Sequence, residues 1–264
     1  ITTGSNNSAF GADALGANTE GASNVAVGEA AMDANTTGGS NVAVGRDALG
    51  ANTSGSFNQA FGRNALLTNT TGQYNNAFGN DALKVNTASS NSAFGHAALV
   101  ANTTGALNTA VGANALSSNI SGGDNVAVGN NALTVSTGSR NTALGYNAMT
   151  DTTSGQDNTA VGFGSLGNNT TASNNTAVGR SALSANTTGA SNTAVGRESL
   201  SANTTAAQNT ATGMYALRQT TTGGNNVAMG YASLITNTTG VGNVALGHNS
   251  LYNNTTANNN TAVG

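Results

Sequence analysis

The amino-acid sequence predicts an all-β protein, a parallel β-solenoid with about 17 residues per coil and 16 rungs. Three observations lead to this fold class. One short motif recurs along all 264 residues at an almost constant interval. Glycine and asparagine fall at fixed places in that motif, and no 3.6-residue apolar period runs through it, which disfavours a helical repeat. Only 6% of the residues are charged and none is proline, which separates the chain from typical disordered segments.

The anchor of the repeat is Asn-x-Ala-φ-Gly, where φ is apolar in every copy but one. It occurs sixteen times; thirteen of the fifteen intervals between φ positions are seventeen residues long, and the other two are sixteen. The φ residues are Phe10, Val27, Val44, Phe61, Phe78, Phe94, Val111, Val128, Leu144, Val161, Val178, Val195, Thr212, Met229, Leu246 and Val263. Because such a period is the signature of stacked structural units, each copy is expected to form one coil.

Each copy divides into four parts. Asn-Thr-Ala-Val places Asn and Ala on one face and Thr and Val on the other, as a short strand does. The Gly that follows marks a bend or a close backbone approach. A Leu or Met lies five residues after φ, preceded by Ala or Ser, and we expect this pair to form a second extended segment. Asn-Thr-Thr-Gly supplies turn chemistry, because Asn and Gly tolerate left-handed backbone angles and Asn can bond its own neighbours.

Stacking of like positions predicts ladders along the solenoid axis. Apolar ladders are expected to fill the interior, while Asn side chains hydrogen-bond from coil to coil, as identical stacked side chains do in cross-β structures. The ladder residues are Val27, Val44, Val111, Val128, Val161, Val178 and Val195; Leu49, Leu66, Leu183 and Leu200; and Asn24, Asn41, Asn175 and Asn192. The two sixteen-residue copies are predicted to lose their residue in the polar turn, near Thr87 to Ser90 and Ser136 to Ser139.

A single coil buries little apolar surface. Its burial contributes roughly 4 to 6 kcal/mol, against backbone ordering of more than about 1 kcal/mol per residue. The Ala before φ is present in all sixteen copies, as expected where the opposite wall of a thin coil or a neighbouring chain packs very close. We therefore expect a homo-oligomer, most naturally a homotrimer whose equivalent faces meet along the axis. A thin monomeric solenoid is the alternative.

Residues 1–264 form a single continuous repeat array. Because the chain opens at Ile1-Thr2 and closes at Gly264 inside a repeat, we expect a fragment of a longer protein. A net charge of −3 from 7 basic and 10 acidic residues provides no basic patch, so no nucleic-acid partner is expected. No apolar run approaches the roughly 20 residues that span a bilayer, so we expect no membrane insertion of this segment.

The sequence predicts neither an enzyme nor a cofactor or metal site. His96 and His248 lie nine copies apart, too far to share a metal ion. Asp47 follows Arg46, and such neighbours of opposite sign do not form the facing carboxylate pair that acid–base catalysis needs. The turns carry Asn, Thr and Ser where a calcium-binding β-roll would place Asp.

The recurring Asn-Thr-Ala-Val-Gly followed by Ala-Leu or Ser-Leu, as in residues 175–183 and 192–200, resembles the head repeats of trimeric autotransporter adhesins, the YadA-like heads. It is also similar to repeat arrays upstream of the self-cleaving chaperone domain in phage tail fibres. The resemblance covers the whole chain, although the adhesin repeat is shorter and lacks the added Asn-Thr-Thr-Gly turn. It implies a homotrimer of left-handed β-rolls, used extracellularly on a bacterial surface or in a virion tail fibre.

From this we expect a structural and adhesive fibre segment whose partners are its own copies and a glycan or surface-protein receptor. The exposed aromatic candidates for receptor contact are Tyr74, Tyr146, Tyr215, Tyr231 and Tyr252. One alternative is an ice-binding solenoid, suggested by stacked Thr pairs, although adjacent Thr residues point to opposite faces. Another is a subunit of a self-assembling extracellular filament, suggested by the Asn ladders.

Overall fold

The computed structural model describes residues 3–264 and is an all-β parallel β-solenoid. Ile1 and Thr2, with which the array opens, lie outside the described residues. No described residue belongs to a helix, and each copy of the repeat forms one three-residue strand from the x-Ala-φ part of the anchor. The strands are β1 (Ser8–Phe10), β2 (Val25–Val27), β3 (Val42–Val44), β4 (Gln59–Phe61), β5 (Asn76–Phe78), β6 (Ser92–Phe94), β7 (Thr109–Val111), β8 (Val126–Val128), β9 (Thr142–Leu144), β10 (Thr159–Val161), β11 (Thr176–Val178), β12 (Thr193–Val195), β13 (Thr210–Thr212), β14 (Val227–Met229), β15 (Val244–Leu246) and β16 (Thr261–Val263).

The chain forms two compact units, Ile1–Asn131 with β1 to β8 and Ala132–Gly264 with β9 to β16. Within each unit, successive strands pair in parallel and in register. Val27 lies opposite Val44 in the first unit, and Val161 lies opposite Val178 in the second. The predicted parallel solenoid with about 17 residues per coil is therefore confirmed.

The interior of each coil is narrow. In the copies between the two end strands, the Ala in the middle of the strand is fully buried, as Ala43 and Ala177 show. The Leu or Met five residues after φ is buried as well, except Leu251 near the end of the second unit. The predicted Leu ladder residues Leu49, Leu66, Leu183 and Leu200 are all 0% exposed. Because the recurring Ala packs inside its own chain, it does not by itself require a neighbouring chain.

The expectation that the Val ladder fills the interior is wrong. Strand side chains alternate, and Asn and Ala point inward, so the residues on either side of Ala point outward. Interior space is already taken by Ala, Leu and two Asn residues of each coil. The seven ladder valines are accordingly exposed by 37 to 38% at Val27, Val111 and Val195, and half-buried at Val44, Val128, Val161 and Val178.

The Ala-Leu pair lies in a turn, so the predicted second extended segment is also wrong. Leu183 has a left-handed φ of 51° and Ser181, two residues before it, has 56°. Such a conformation costs a non-glycine residue about 1–2 kcal/mol. Complete burial of Leu183 stabilises it by roughly 1.5–3 kcal/mol, and its N–H donates to Ser199 O at 3.0 Å. Burial and this bond between coils hold the turn.

Two asparagine ladders run through the interior. In the first, the Asn before each strand accepts from the next copy: Asn192 N–H donates to Asn175 Oδ1 at 2.9 Å, and Asn41 N–H donates to Asn24 Oδ1 at 3.0 Å. All four of these asparagines are 0% exposed. The Nδ2 of Asn192 also donates to Ala206 O at 2.8 Å, which fastens the strand to the next polar turn.

The second ladder is formed by the Asn of Asn-Thr-Thr-Gly. Asn186 Nδ2 donates to Asn169 Oδ1 at 3.0 Å and to Gly189 O, three residues ahead, at 2.9 Å. This second bond is the predicted local turn chemistry. Thr220 occupies one position of the ladder, and Asn203 Oδ1, one coil earlier, has no hydrogen-bond partner although it is buried. An interruption of the ladder therefore leaves a polar atom unsatisfied.

The short copies do lose their residue in the polar turn. The turn Asn normally reaches a carbonyl three residues ahead, whereas Asn86 Nδ2 donates to Ala88 O and Ser136 Oγ to Gly138 O, only two residues ahead. The missing residue is one of the two threonines. The shortened turn absorbs the deletion while the strands on either side of the first one, β5 and β6, keep their register.

The Gly after φ is required by a close backbone approach. Gly179 has φ +134°, and a Cβ there would lie 2.6 Å from the carbonyl carbon of Gly196 in the next coil. No side chain fits at that distance, so the predicted close approach is present.

Candidate functional site

The outer surface of the strands is the most regular feature of the molecule. We call the first and third residues of each strand the strand face. In the second unit the first column holds threonine in five consecutive strands, and the third column is mainly aliphatic. The threonines are Thr142, Thr159, Thr176, Thr193 and Thr210. No strand-face position of the sixteen strands carries an ionisable residue.

The strand face of the first unit carries a stack of phenylalanines. The rings of Phe61 and Phe78 are 4.7 Å apart, and those of Phe78 and Phe94 are 5.0 Å apart, both nearly parallel. Phe94 is 40% exposed even within the stack. A continuous apolar patch of this kind on a protein surface is typical of an interaction site.

Thr212 is the only φ residue that is not apolar, and the structure explains why it is tolerated. It pairs in register with Val195 and Met229 on the strand face, where it is half-buried. Its hydroxyl therefore does not enter the Ala and Leu interior, and the core is continuous at this coil.

A second surface, the aromatic-arginine edge, runs along the residues two or three positions after φ in the second unit. Its members are Tyr146, Phe163, Arg180, Arg197, Tyr215, Tyr231 and His248. Tyr146 and Phe163 stack at 5.5 Å, and the Arg180 guanidinium lies 5.9 Å from the centre of the Phe163 ring. Further along, Tyr231 stacks on His248 at 5.3 Å. Sequence reasoning treated several of these residues as isolated, but their shared phase brings them together.

Tyr215 lies between two arginines on this edge. The guanidinium of Arg218 is 4.9 Å from the ring centre and that of Arg197 is 5.7 Å. Both arginines also pair with Glu198, at 3.2 Å for Arg197 and 3.1 Å for Arg218. One carboxylate thus fixes two guanidinium groups against one aromatic ring, a favourable cation–π arrangement.

Beside this edge lies a shallow groove, which we call the edge groove. It consists of two depressions of about 450 and 390 Å³ that share Ser181 and Ser184. Small residues such as Gly167 leave the space open, while Phe163 and Arg218 border it. None of its lining residues belongs to the strand face. Phe163, Asp151 and Arg218 were not singled out from the sequence; the signal for Phe163 was an aromatic residue in the same phase as Tyr146 one copy earlier.

The other predicted tyrosines lie elsewhere. Tyr74 stacks on Phe57 at 5.1 Å in the first unit, and the two rings are 56% and 51% exposed. Both residues occupy left-handed backbone positions, with φ of 59° and 60°. Tyr252 is exposed near the end of the second unit. The five tyrosines therefore do not form one site.

Two carboxylates have perturbed acidities. A hydrogen bond from Asn64 Nδ2 at 2.8 Å is the main cause that lowers the pKa of Asp81, and Lys84 at 3.3 Å also lowers it. The hydrogen bond from Arg140 lowers the pKa of Asp157. Both are surface pairs, and neither contains a nucleophile or a second carboxylate.

Among residues 3–264, no group of three His, Cys, Asp or Glu side chains is placed to hold a metal ion. In the same residues no helix is long and apolar enough to cross a membrane. No protein-family model matches the chain, and no curated protein matches it in sequence.

Proposed function

We propose that this chain is a non-catalytic, structural and adhesive fibre segment, wound as a left-handed β-roll and assembled as a homotrimer through the strand face. In this proposal it is extracellular, on a bacterial surface or in a virion tail fibre, and attaches the bacterium or virion to a host or another surface. The observation that carries it is the outward φ ladder, an uncharged column along each unit that one chain leaves partly exposed.

The strand face fits further copies of the same chain better than an unrelated partner. Its side chains repeat once per coil, at about the 4.8 Å spacing of parallel strands. A second chain with the same coil presents side chains at the same spacing along its whole length. Covering the Phe61, Phe78 and Phe94 rings would remove further apolar area from water, at about 25 cal/mol per Å². A closed threefold arrangement would cover this face in every copy.

Multi-angle light scattering and small-angle X-ray scattering on the 264-residue chain test this assembly. We expect three times the chain mass of 25.6 kDa. Phe78→Glu, which places a charge in the stack, should dissociate the trimer. Phe57→Glu changes a stacked ring that lies off the strand face and is more exposed than Phe78, and it should leave the trimer intact. A monomeric wild-type chain would refute the trimer, and open-ended filaments would favour the filament subunit.

A second candidate function uses the same face. The threonines Thr142, Thr159, Thr176, Thr193 and Thr210 form a column of outward side chains in β9 to β13, at strand spacing, and such a regular array of hydroxyl-bearing side chains could order water. This column differs from the adjacent Thr pairs of the polar turns, where the first hydroxyl bonds the next coil, as Thr187 Oγ1 does to Thr204 O at 3.0 Å. Measurement of thermal hysteresis on the monomeric Phe78→Glu variant decides the matter, because its second unit retains the complete Thr column. If ice crystals grow as soon as the solution is cooled below its equilibrium melting point, the chain does not bind ice.

A further inference from the structure

We propose that the edge groove of the second unit binds a linear glycan, with the exposed rims of the stacked Tyr146 and Phe163 rings as the apolar contact for one of its sugar rings. This inference rests on the adhesive part of the proposed function and supplies its receptor chemistry. The groove lies off the strand face, so assembly of copies through that face uses none of its lining residues.

The aromatic border of the groove is exposed to solvent. Phe163 is 53% exposed and Tyr146, stacked beside it, is 49% exposed. One face of the Phe163 ring is covered by Tyr146 and the other by Arg180, so the exposed part of the stack is the rim of its rings. Such exposed aromatic area at the border of a concave surface is available to pack against another partly apolar group. One face of a pyranose ring presents several C–H groups, and this partly apolar face can pack against the exposed rims of the two aromatic rings. Arg180, 5.9 Å from the Phe163 centroid, helps to hold that ring in place.

The remainder of the groove offers polar groups without internal partners. Within residues 3–264, the hydroxyls of Ser181 and Ser201 form no hydrogen bond, and the Asp151 carboxylate forms neither a hydrogen bond nor an ion pair. Hydroxyls donate and accept, and a carboxylate accepts from two directions. Sugar hydroxyls need this mixture of donors and acceptors, whereas an apolar ligand would leave these groups unpaired.

The backbone along the groove is already satisfied, which disfavours a peptide ligand. Asn168 N–H donates to Ser184 O, Ala185 N–H to Ser201 O and Ala202 N–H to Arg218 O, each at 3.1 Å. An extended peptide that adds to a sheet needs free backbone groups at an edge. A ligand of this groove must therefore be recognised through side chains.

Charge and length also fit a glycan. Glu198 neutralises part of the Arg197 and Arg218 charge, and Asp151 adds a negative group, so the groove lacks the positive field that a nucleic acid requires. The lining residues extend from Asn147 to Gln219, over the five consecutive coils that begin at β9, β10, β11, β12 and β13. The four intervals between these five coils span on the order of 19 Å, which leaves room for roughly four sugar rings in line.

The test uses the whole 264-residue chain on a microarray of linear oligosaccharides, both neutral and uronic-acid-containing, followed by isothermal titration with the strongest binder. Phe163→Ala should weaken binding about tenfold, because the apolar contact with the ring is lost. Ser201→Gln, which fills the groove with a longer side chain, should weaken binding as well. Tyr74→Ala is the matched control, since it removes an equally exposed ring from the first unit and should leave affinity unchanged.

Absence of binding to every glycan, or equal binding by wild type and Phe163→Ala, would overturn the proposal. The mass of each sample is measured in parallel, so that a failure of glycan binding can be distinguished from a failure of trimer assembly. A trimer that binds no glycan would refute the glycan-binding proposal and support the trimer proposal. A monomer that binds a glycan through Phe163 retains the groove and refutes the assembly.

Discussion

Replacement of Thr220 by Asn should stabilise the protein, because it repairs the interior ladder of turn asparagines. In neighbouring coils this position is Asn203 and Asn237, both completely buried, so the site has room for the amide. The new Nδ2 would donate to Asn203 Oδ1, which now lacks a partner, and to Gly223 O, where it would replace the 3.2 Å bond from Asn226 Nδ2. The new Oδ1 would accept from Asn237 Nδ2, which now makes a long 3.4 Å contact with the Thr220 hydroxyl.

The magnitude follows from these bonds. Satisfying Asn203 Oδ1 is worth about 2 kcal/mol, and replacing the long contact of Asn237 Nδ2 by a normal hydrogen bond is worth about 1 kcal/mol. Against this, the present bond from the Thr220 hydroxyl to Asn237 O, 3.0 Å long, is lost at about 1 kcal/mol, and the buried methyl group at about 0.8 kcal/mol. The net stabilisation is about 1 kcal/mol. For a chain of this size that raises the melting temperature by about 2–4 °C.

Guanidinium unfolding followed by circular dichroism, together with a thermal melt, measures the effect. Thr222→Asn is the control, because it makes the same chemical change at an exposed position of the same turn and should stay within about 0.5 kcal/mol of wild type. Since coils of a repeat array unfold partly independently, hydrogen exchange at Asn203 and Asn237 provides a local readout. A Thr220→Asn protein that is less stable than wild type would show that the ladder bonds do not stabilise this interior.

Three further predictions test other parts of the coil. Gly179→Ala should destabilise the second unit by several kcal/mol, about 3 or more, because its Cβ would meet backbone 2.6 Å away; a melt with unchanged midpoint would contradict this. Leu183→Ala should cost about 2–5 kcal/mol, whereas Val178→Ala should cost under about 1 kcal/mol in the monomeric Phe78→Glu background, as chemical denaturation of both variants would show. Asn64→Ala should raise the pKa of Asp81 towards its ordinary value, as an NMR titration would show. Because the pKa of Asp81 is lowered in the folded protein, the stability from this pair is present above the unfolded-state pKa and is lost as the pH falls through the folded-state pKa. The variant should therefore lose less stability than wild type over that acidic range.

The register of this fold could be predicted from the sequence because every coil repeats the same bonds. Strand positions, parallel pairing and the placement of the two deletions follow from alignment of the copies alone. The outward direction of the Val ladder does not follow, because hydrophobicity normally indicates burial. In a coil this thin, Ala177 and Leu183 already fill the space and Val178 is left outside. Thr212, a polar residue in the same column, was the available signal.

The left-handed turn at Leu183 was not predictable from local preferences, since Leu rarely adopts φ of 51°. Only the bond to the next coil and complete burial stabilise it, and both are tertiary effects. The edge groove illustrates a related limit. The phase shared by Tyr146 and Phe163 was visible in the sequence, but the space beside them depends on which neighbouring positions carry Gly167, Ser184 and Ser201.

The asparagine ladders also determine how such a chain can fold. The N–H of Asn192 donates to the side-chain oxygen of Asn175, seventeen residues earlier, and the same hydrogen bond recurs from coil to coil within each unit. No contact of this kind requires closure of a long loop, so the entropy lost at each step is that of one short segment. A finished coil offers its amide oxygens to the next segment of chain, and folding within a unit can advance one coil at a time in the direction of synthesis. The slow step is then the first coil, which has no template.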